Sequence, residues 1–568
     1  MATWMLLSLA VCFSVVAGEL VQNGDFESMS GWNCWNFQCQ LIASGDSRFG
    51  SHSLSATGRT QDWMGPSQNV QMKPGQTYRV SSCMKILNDL PNTVGQSLQL
   101  MVSFTFADGS NTYMNAALQP MLRVADGWVC LQGDLQAPTI AFTSATFYFQ
   151  GPAPGVGFAV DQASITELNL SDANWRQQTD EVINRVRKSD INLRITTDSG
   201  VTPSQVQIKV KQTKKSFPFG SAVSAYKYVD STQQKYRDWI HTHLNWAVLE
   251  NALKWTMLEW DQGNFKSEPA MGTIKGLTSH GIKVRGHNLV WSASTDFIPP
   301  WVRALSGDQL RTTVKQHIEK VCNMTRGYLQ HWDVNNENLH GWWFQDRLQD
   351  RDYDLEIFRI AHKACPDTLL FLNEYSVVAG GGVTQAYLEQ AKRFKAANVG
   401  LGGIGVQSHF AYNFEPSPAL VKYRLDTLKQ AGVSIWATEM TVEVDDENKR
   451  ADYYERALRA LYGHEAVDGI LLWGFWDQAH YAGEKAALVR GDNLELTAAG
   501  RRVLHLLEEE WMTDETFTPT SSNSQHTVRG FHGDYEVTVL YKGSAKSSLT
   551  QRFTLGKAAH AVTIHVTA

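Results

Sequence analysis

Basic runs are missing from this chain: 568 residues carry a formal net charge of −6, and no stretch gathers lysine or arginine. Nucleic acid and membrane surfaces are therefore not expected partners. Long apolar runs are missing too, with one exception at residues 1–18, MATWMLLSLAVCFSVVAG. That run is short for a bilayer span and ends in small residues, so it reads as a secretory signal cut after Gly18, with a single membrane anchor as the competing reading. CxxC pairs and Cys/His metal spacings are absent. Charged residues make up only 19% against 43% hydrophobic, a folded and multidomain composition at this length.

What the chain does hold is tryptophan, 19 of them. Flat aromatic faces are what pyranose rings stack on, and core packing is the alternative for each. Of seven cysteines, Cys12 lies in the expected leader. The other six, Cys34, Cys39, Cys83, Cys130, Cys322 and Cys365, suggest disulfides in a secreted, extracellular chain. Cys322 with Cys365 is a plausible pair because both lie near helix ends, and the remaining pairing is open. NLS at Asn169 and NMT at Asn323 are glycosylation sequons.

Residues 19–168 read as an all-β domain: QTYRVSSCMKI, SLQLMVSFTF, ATFYFQ and GFAVDQASITEL alternate between Gly, Pro, Asn and Asp turns, at the spacing of a β-sandwich or jelly roll. Residues 169–216 read as a connector with a helix and one strand. From 217 to 513 the pattern changes to strand, loop, helix, repeated eight times, which predicts a (β/α)8 TIM barrel. An open doubly wound sheet would want a glycine-rich phosphate loop after its first strand, and FPFGSAV is not one. Residues 514–568 read as a small C-terminal β extension.

Catalytic groups in such barrels project from the C-terminal ends of the strands. Those ends are unusually polar here: Glu250 and Asn251; His287, Asn288 and Trp291; Asn336 and Glu337; Asn373 and Glu374; Gln407 and His409; Glu439; Trp473 and Asp477. Glu337 ends the fourth candidate strand and Glu439 the seventh, on opposite sides of the mouth. A facing carboxylate pair suits glycoside hydrolysis, one group protonating the leaving oxygen and the other attacking the anomeric carbon or activating water. His409 could donate to Glu439, and Asn336 could bind a sugar 2-hydroxyl.

The motifs ENALKW (250–255), RGHNLVW (285–291), WDVNNE (332–337), LNEY (372–375), GVQSH (405–409), TEM (438–440) and LLWG (471–474) follow one another in the order of glycoside hydrolase family 10, the endo-β-1,4-xylanases, which the barrel closely resembles. The resemblance implies a retaining enzyme that cleaves internal β-1,4 bonds of xylan in plant cell walls without a cofactor. Glu337 would be the acid/base and Glu439 the nucleophile. It also implies that Glu250, Asn251 and Lys254 bind sugar on the non-reducing side of the cut, with His287, Trp291, Asn336, Gln407, His409, Trp473 and Tyr481 around the cleaved sugar. Departures stand out. Thr441 replaces the usual Asp beside the histidine, so another group is expected to orient His409. Ser292 and Ser294 replace His and Gln, and Tyr481 replaces a second Trp. Less crowding at C5 of the sugar would admit glucose, so cellulose or mixed β-glucan is an expected side substrate.

LVQNGDFESMSGWNCW and FAVDQASI resemble β-sandwich carbohydrate-binding modules, in which Trp35, Trp63 and Tyr113 are candidates to hold a glycan. Asp25, Glu27 and Asp161 could supply oxygens to a structural calcium there. Two rival readings exist. A non-catalytic glycan-binding protein would lack one of the two glutamates, and both are present. A metal-dependent barrel hydrolase could use His241 and His243, but these precede their nearest strand and fall at the wrong end of the barrel.

Overall fold

A computed structural model describes residues 18–43, 46–411 and 415–567. The leader expected over residues 1–18 lies outside the described residues, Gly18 excepted. The chain forms two compact units that divide after Asn169.

The first unit is an antiparallel sandwich. Its five-stranded sheet runs in the order Gln38–Ala43, His52–Thr57, Phe158–Glu167, Thr77–Ile86, Val129–Gln136, and its four-stranded sheet in the order Ser67–Val70, Ser144–Gln150, Gln96–Thr105, Asn111–Leu122. Alternation makes the core: Val80, Met84, Leu98, Leu100, Val102, Phe147 and Phe149 face inward and are fully buried. Disulfides join Cys34 to Cys39 and Cys83 to Cys130.

In the second unit eight parallel strands close a barrel: Phe219–Val223, Trp246–Leu249, Lys283–Gly286, Leu329–Asn336, Leu369–Glu374, Leu401–Val406, Ser434–Glu443 and Val467–Leu472. Closure comes where the eighth strand pairs with the first and the third with the fourth. The barrel is filled with rings: Trp246, Phe371 and Trp436 each pack against His331 with centroids 4.5 to 4.9 Å apart. Trp246 and Trp436 thus serve the barrel core; Trp332, beside His331 on the fourth strand, is also fully buried, and Gly286 is glycine because a Cβ would meet the Trp332 ring. Cys322 and Cys365 are bonded, as their neighbouring helix ends suggested.

The connector and the C-terminal extension are not separate pieces. Lys188–Thr197 pairs with Asn523–Phe531 and His560–Val566, and Val206–Lys215 pairs with Asp514–Phe517 and Gly533–Tyr541. Together they make a second sandwich around Ile191, Leu193, Ile208, Val210, Val537, Val539 and Ile564. An alternating strand needs a partner, and partners three hundred residues away leave no local signal. Arg187, just before this sandwich, ties it to the barrel base by donating to the carbonyls of Tyr462, His464 and Val467 at 2.7 to 3.0 Å.

Candidate active site

The C-terminal strand ends of the barrel bring all twelve expected site residues into one network. Glu337 follows the fourth strand with φ 55°, a left-handed conformation that costs a non-glycine residue about 1 kcal/mol or more. Its own N–H is held by the Asn373 carbonyl at 3.0 Å. Trp291 Nε1 and Gln407 Nε2 donate to its two carboxylate oxygens, each at 2.9 Å. Burial pushes this carboxyl up to about 7; the nearby charges of Glu374 and Glu439 add to the rise, while the Gln407 and Trp291 hydrogen bonds oppose it.

Glu439, on the seventh strand, moves the other way. Burial favours its neutral form, but the His409 hydrogen bond, the charges of His287 and His409 and the Asn373 hydrogen bond outweigh it, and its pKa falls below the ordinary glutamate value. Asn373 Nδ2 reaches Glu439 Oε1 at 2.7 Å and Asn336 Oδ1 at 2.9 Å, and Thr438 Oγ1 fixes the other end of the Asn373 amide. Asn336 Nδ2, buried, has no protein partner among the described residues. His409 Nε2 lies 3.3 Å from Glu439 Oε2, and its Nδ1 lies 3.2 Å from Thr441 Oγ1. Thr441 itself, at the expected acid position, is thus the group that orients His409.

The remaining residues enclose the pair. Lys254 Nζ donates to Asn251 Oδ1 at 2.8 Å and sits 5.0 Å from the Trp291 ring centre. Burial lowers the Lys254 amine, against the pull of Glu439, Glu250 and Glu337. Burial likewise raises Glu250, with Lys254 opposing. Trp473 and Trp291 flank His287 with ring centres 5.2 and 6.1 Å away, and Tyr481 meets His409 edge-on at 6.2 Å. Ser294 caps a short turn by accepting from the Asp296 N–H, and Phe297 from that turn stacks on Trp291 at 3.5 Å. Ser292 is buried and bonded to Asn335.

Sequence reasoning gave no role to a supporting layer. Asp333 holds His287 Nδ1 at 3.0 Å and pairs with Arg285, both fully enclosed. Glu374, itself buried, binds His340 Nδ1 at 2.7 Å and the Leu339 N–H at 3.1 Å. One signal was available: Arg285 and Asp333 are opposite charges in adjacent apolar strands, and buried charges must pair. Of the rival metal pair, His241 bonds Tyr228 at 2.8 Å and His243 bonds Glu508 at 2.6 Å, so they serve separate partners.

The first unit carries a groove of about 660 Å³ on its four-stranded sheet, lined by Trp35, Phe37, Asp62, Trp63, Tyr113 and Tyr148 among others. Trp35, Trp63 and Tyr113 are 66%, 46% and 63% exposed, so none of them is core. The calcium set does not fit: Asp161 accepts from the N–H groups of Arg48, Phe49 and Gln162, and Glu27 from those of Ser51 and His52. No group of three possible ligands gathers among the described residues.

The chain was compared with known proteins. The family model for glycosyl hydrolase family 10 matches residues 209–505, and that for a carbohydrate binding domain matches residues 18–155. Endo-1,4-beta-xylanase 3 of Arabidopsis thaliana is 31% identical over 500 residues, 86% of this chain and 64% of its own length. Endo-1,4-beta-xylanase 2 of the same plant is 32% identical over 513 residues, 88% of this chain and 45% of its own. This chain thus spans about half to two thirds of those relatives. A solved intracellular xylanase from Thermoanaerobacterium saccharolyticum is 26% identical, with a TM-score of 0.46, over 50% of this chain and 95% of that one.

Proposed function

The chain belongs to glycosyl hydrolase family 10, and we propose that it is a retaining endo-1,4-β-xylanase whose N-terminal module grips the same class of plant cell-wall polysaccharide. The observation that carries this reading is the split between two carboxyls at one rim: Glu337 is pushed up to about 7 while Glu439 is held low. Near neutral pH one is an acid and the other an ionised nucleophile, the division that double-displacement hydrolysis needs. Glu439 attacks the anomeric carbon while Glu337 gives its proton to the leaving oxygen. A water deprotonated by Glu337 then opens the glycosyl ester, and configuration is retained. The Nδ2 donor of Asn336 fits the sugar 2-hydroxyl, a bond that strengthens as the oxocarbenium ion develops. NMR of the first product from xylohexaose tests the scheme: β-anomer is expected, and α-anomer would reject retention.

Cellulose or mixed β-glucan is the second substrate class. The small Ser294, folded back onto its own turn, and the exposed Tyr481 favour it. Turnover of carboxymethyl-cellulose is expected well below that of xylan, and none at all would remove this class. Secretion, with glycans at the exposed Asn169 and Asn323, completes the proposal; N-terminal sequencing of the mature protein checks the first, and the mass lost on glycosidase treatment checks the second.

A further inference from the structure

Trp35 and Phe37 line the groove of the first unit from within a small covalent ring, closed by the Cys34–Cys39 disulfide at a sequence separation of 5. The ring sits where the chain changes sheet. On one side Asn33 exchanges two backbone hydrogen bonds, 2.9 and 3.0 Å, with Ser67, the first residue of the edge strand Ser67–Val70 in the four-stranded sheet. On the other, Cys39 is the second residue of Gln38–Ala43, the edge strand of the five-stranded sheet. Phe37 packs partly against the sandwich core. Trp35 does not: it is 66% exposed, and its ring neighbour Trp63, with centroids 6.2 Å apart, is itself 46% exposed. Asn36, between Trp35 and Phe37, holds φ 60°, a left-handed turn in the ring.

We propose that the Cys34–Cys39 disulfide is the positioning element of this groove, holding Trp35 ready for a pyranose ring, so that β-1,4-glycan affinity depends on the bond while the fold does not. The proposal rests on the reading of the groove as a glycan site. An aromatic ring that must stay uncovered to bind cannot be fixed by burial. On an open crossover its freedom would be lost only when ligand arrives, and affinity would fall by that amount. The fold has other support, because the sandwich core is continuous and Cys83–Cys130 joins two paired strands within it.

The experiment uses the full chain in a Glu439→Ala background, so that ligand is not consumed, with calorimetric titration of xylohexaose and cellohexaose. Trp35→Ala marks the groove's share of the binding. The Cys34→Ser/Cys39→Ser double variant is expected to weaken that share about tenfold with its enthalpy retained, the loss appearing in entropy. Wild-type affinity in the double variant, with Trp35→Ala weakened, would overturn the proposal. Wild-type affinity in Trp35→Ala would instead reject the groove as a glycan site. A double variant that does not fold would also overturn the proposal, which holds that the fold does not depend on the bond.

Discussion

The barrel rim and the sandwich groove are assigned to the same kind of ligand and are built in opposite ways. At the rim the working side chains are polar and buried: Glu439, Asn336, His287 and Gln407 are each at most 5% exposed and held by Asn373, Asp333 and Glu337. In the groove they are aromatic and open, on crossovers and sheet faces. The difference follows from the task. A carboxyl shifts its pKa only where water is excluded and donors are aimed at it, so chemistry wants rigid strand ends with a supporting layer such as Asp333 and Glu374. Stacking wants an uncovered ring face, which burial would destroy, so its rigidity has to come from covalent and backbone restraint.

Substitutions should separate the two regions. Glu439→Ala is expected to lower kcat by on the order of 10⁵-fold, the scale for loss of a nucleophile, with glycan retention on the groove unchanged. If retention fell in step, the two regions would not be independent. Glu337→Gln comes next, at about 10² to 10⁴-fold in kcat, with the steepest loss on substrates whose leaving group most needs a proton. Trp35→Ala reverses the pattern: about tenfold or more weaker retention on insoluble xylan, with no change in kcat on short oligosaccharides. Thr441→Val removes the hydroxyl that orients His409, and a fall in kcat/KM of about tenfold is expected; a KM change without kcat would place His409 outside the chemistry. The smallest effect is a shift rather than a loss. Activity needs Glu337 protonated, so it falls as pH rises through about 7. The Gln407 donor favours the ionised form, and Gln407→Leu should therefore move that alkaline limb upward. A downward move would contradict the assignment of Glu337 as the acid.

Local pattern made the barrel legible. Its strands are apolar runs that end in polar residues, its helices carry the 3.6 period, and each pair is contiguous in sequence. The site was legible for the same reason, because polar residues gather at the ends of apolar strands, although Glu374, one of them, serves the supporting layer. The supporting layer was not, since Asp333 and Glu374 act through side chains on neighbouring strands whose register no single strand reveals. The second sandwich was hidden further, with Lys188–Thr197 and Val206–Lys215 reading as isolated alternations until residues 514–566 paired with them.

The amino-acid order alone determined which segments are strands and helices and which side chains stand at strand ends, because periodicity and turn chemistry act over a few residues. Tertiary structure alone decided that burial and neighbours push the two carboxyls apart, which aromatics stay open to a ligand, and which distant strands share a core. Burial, electrostatic field and register are properties of neighbours in space, and chain order does not carry them.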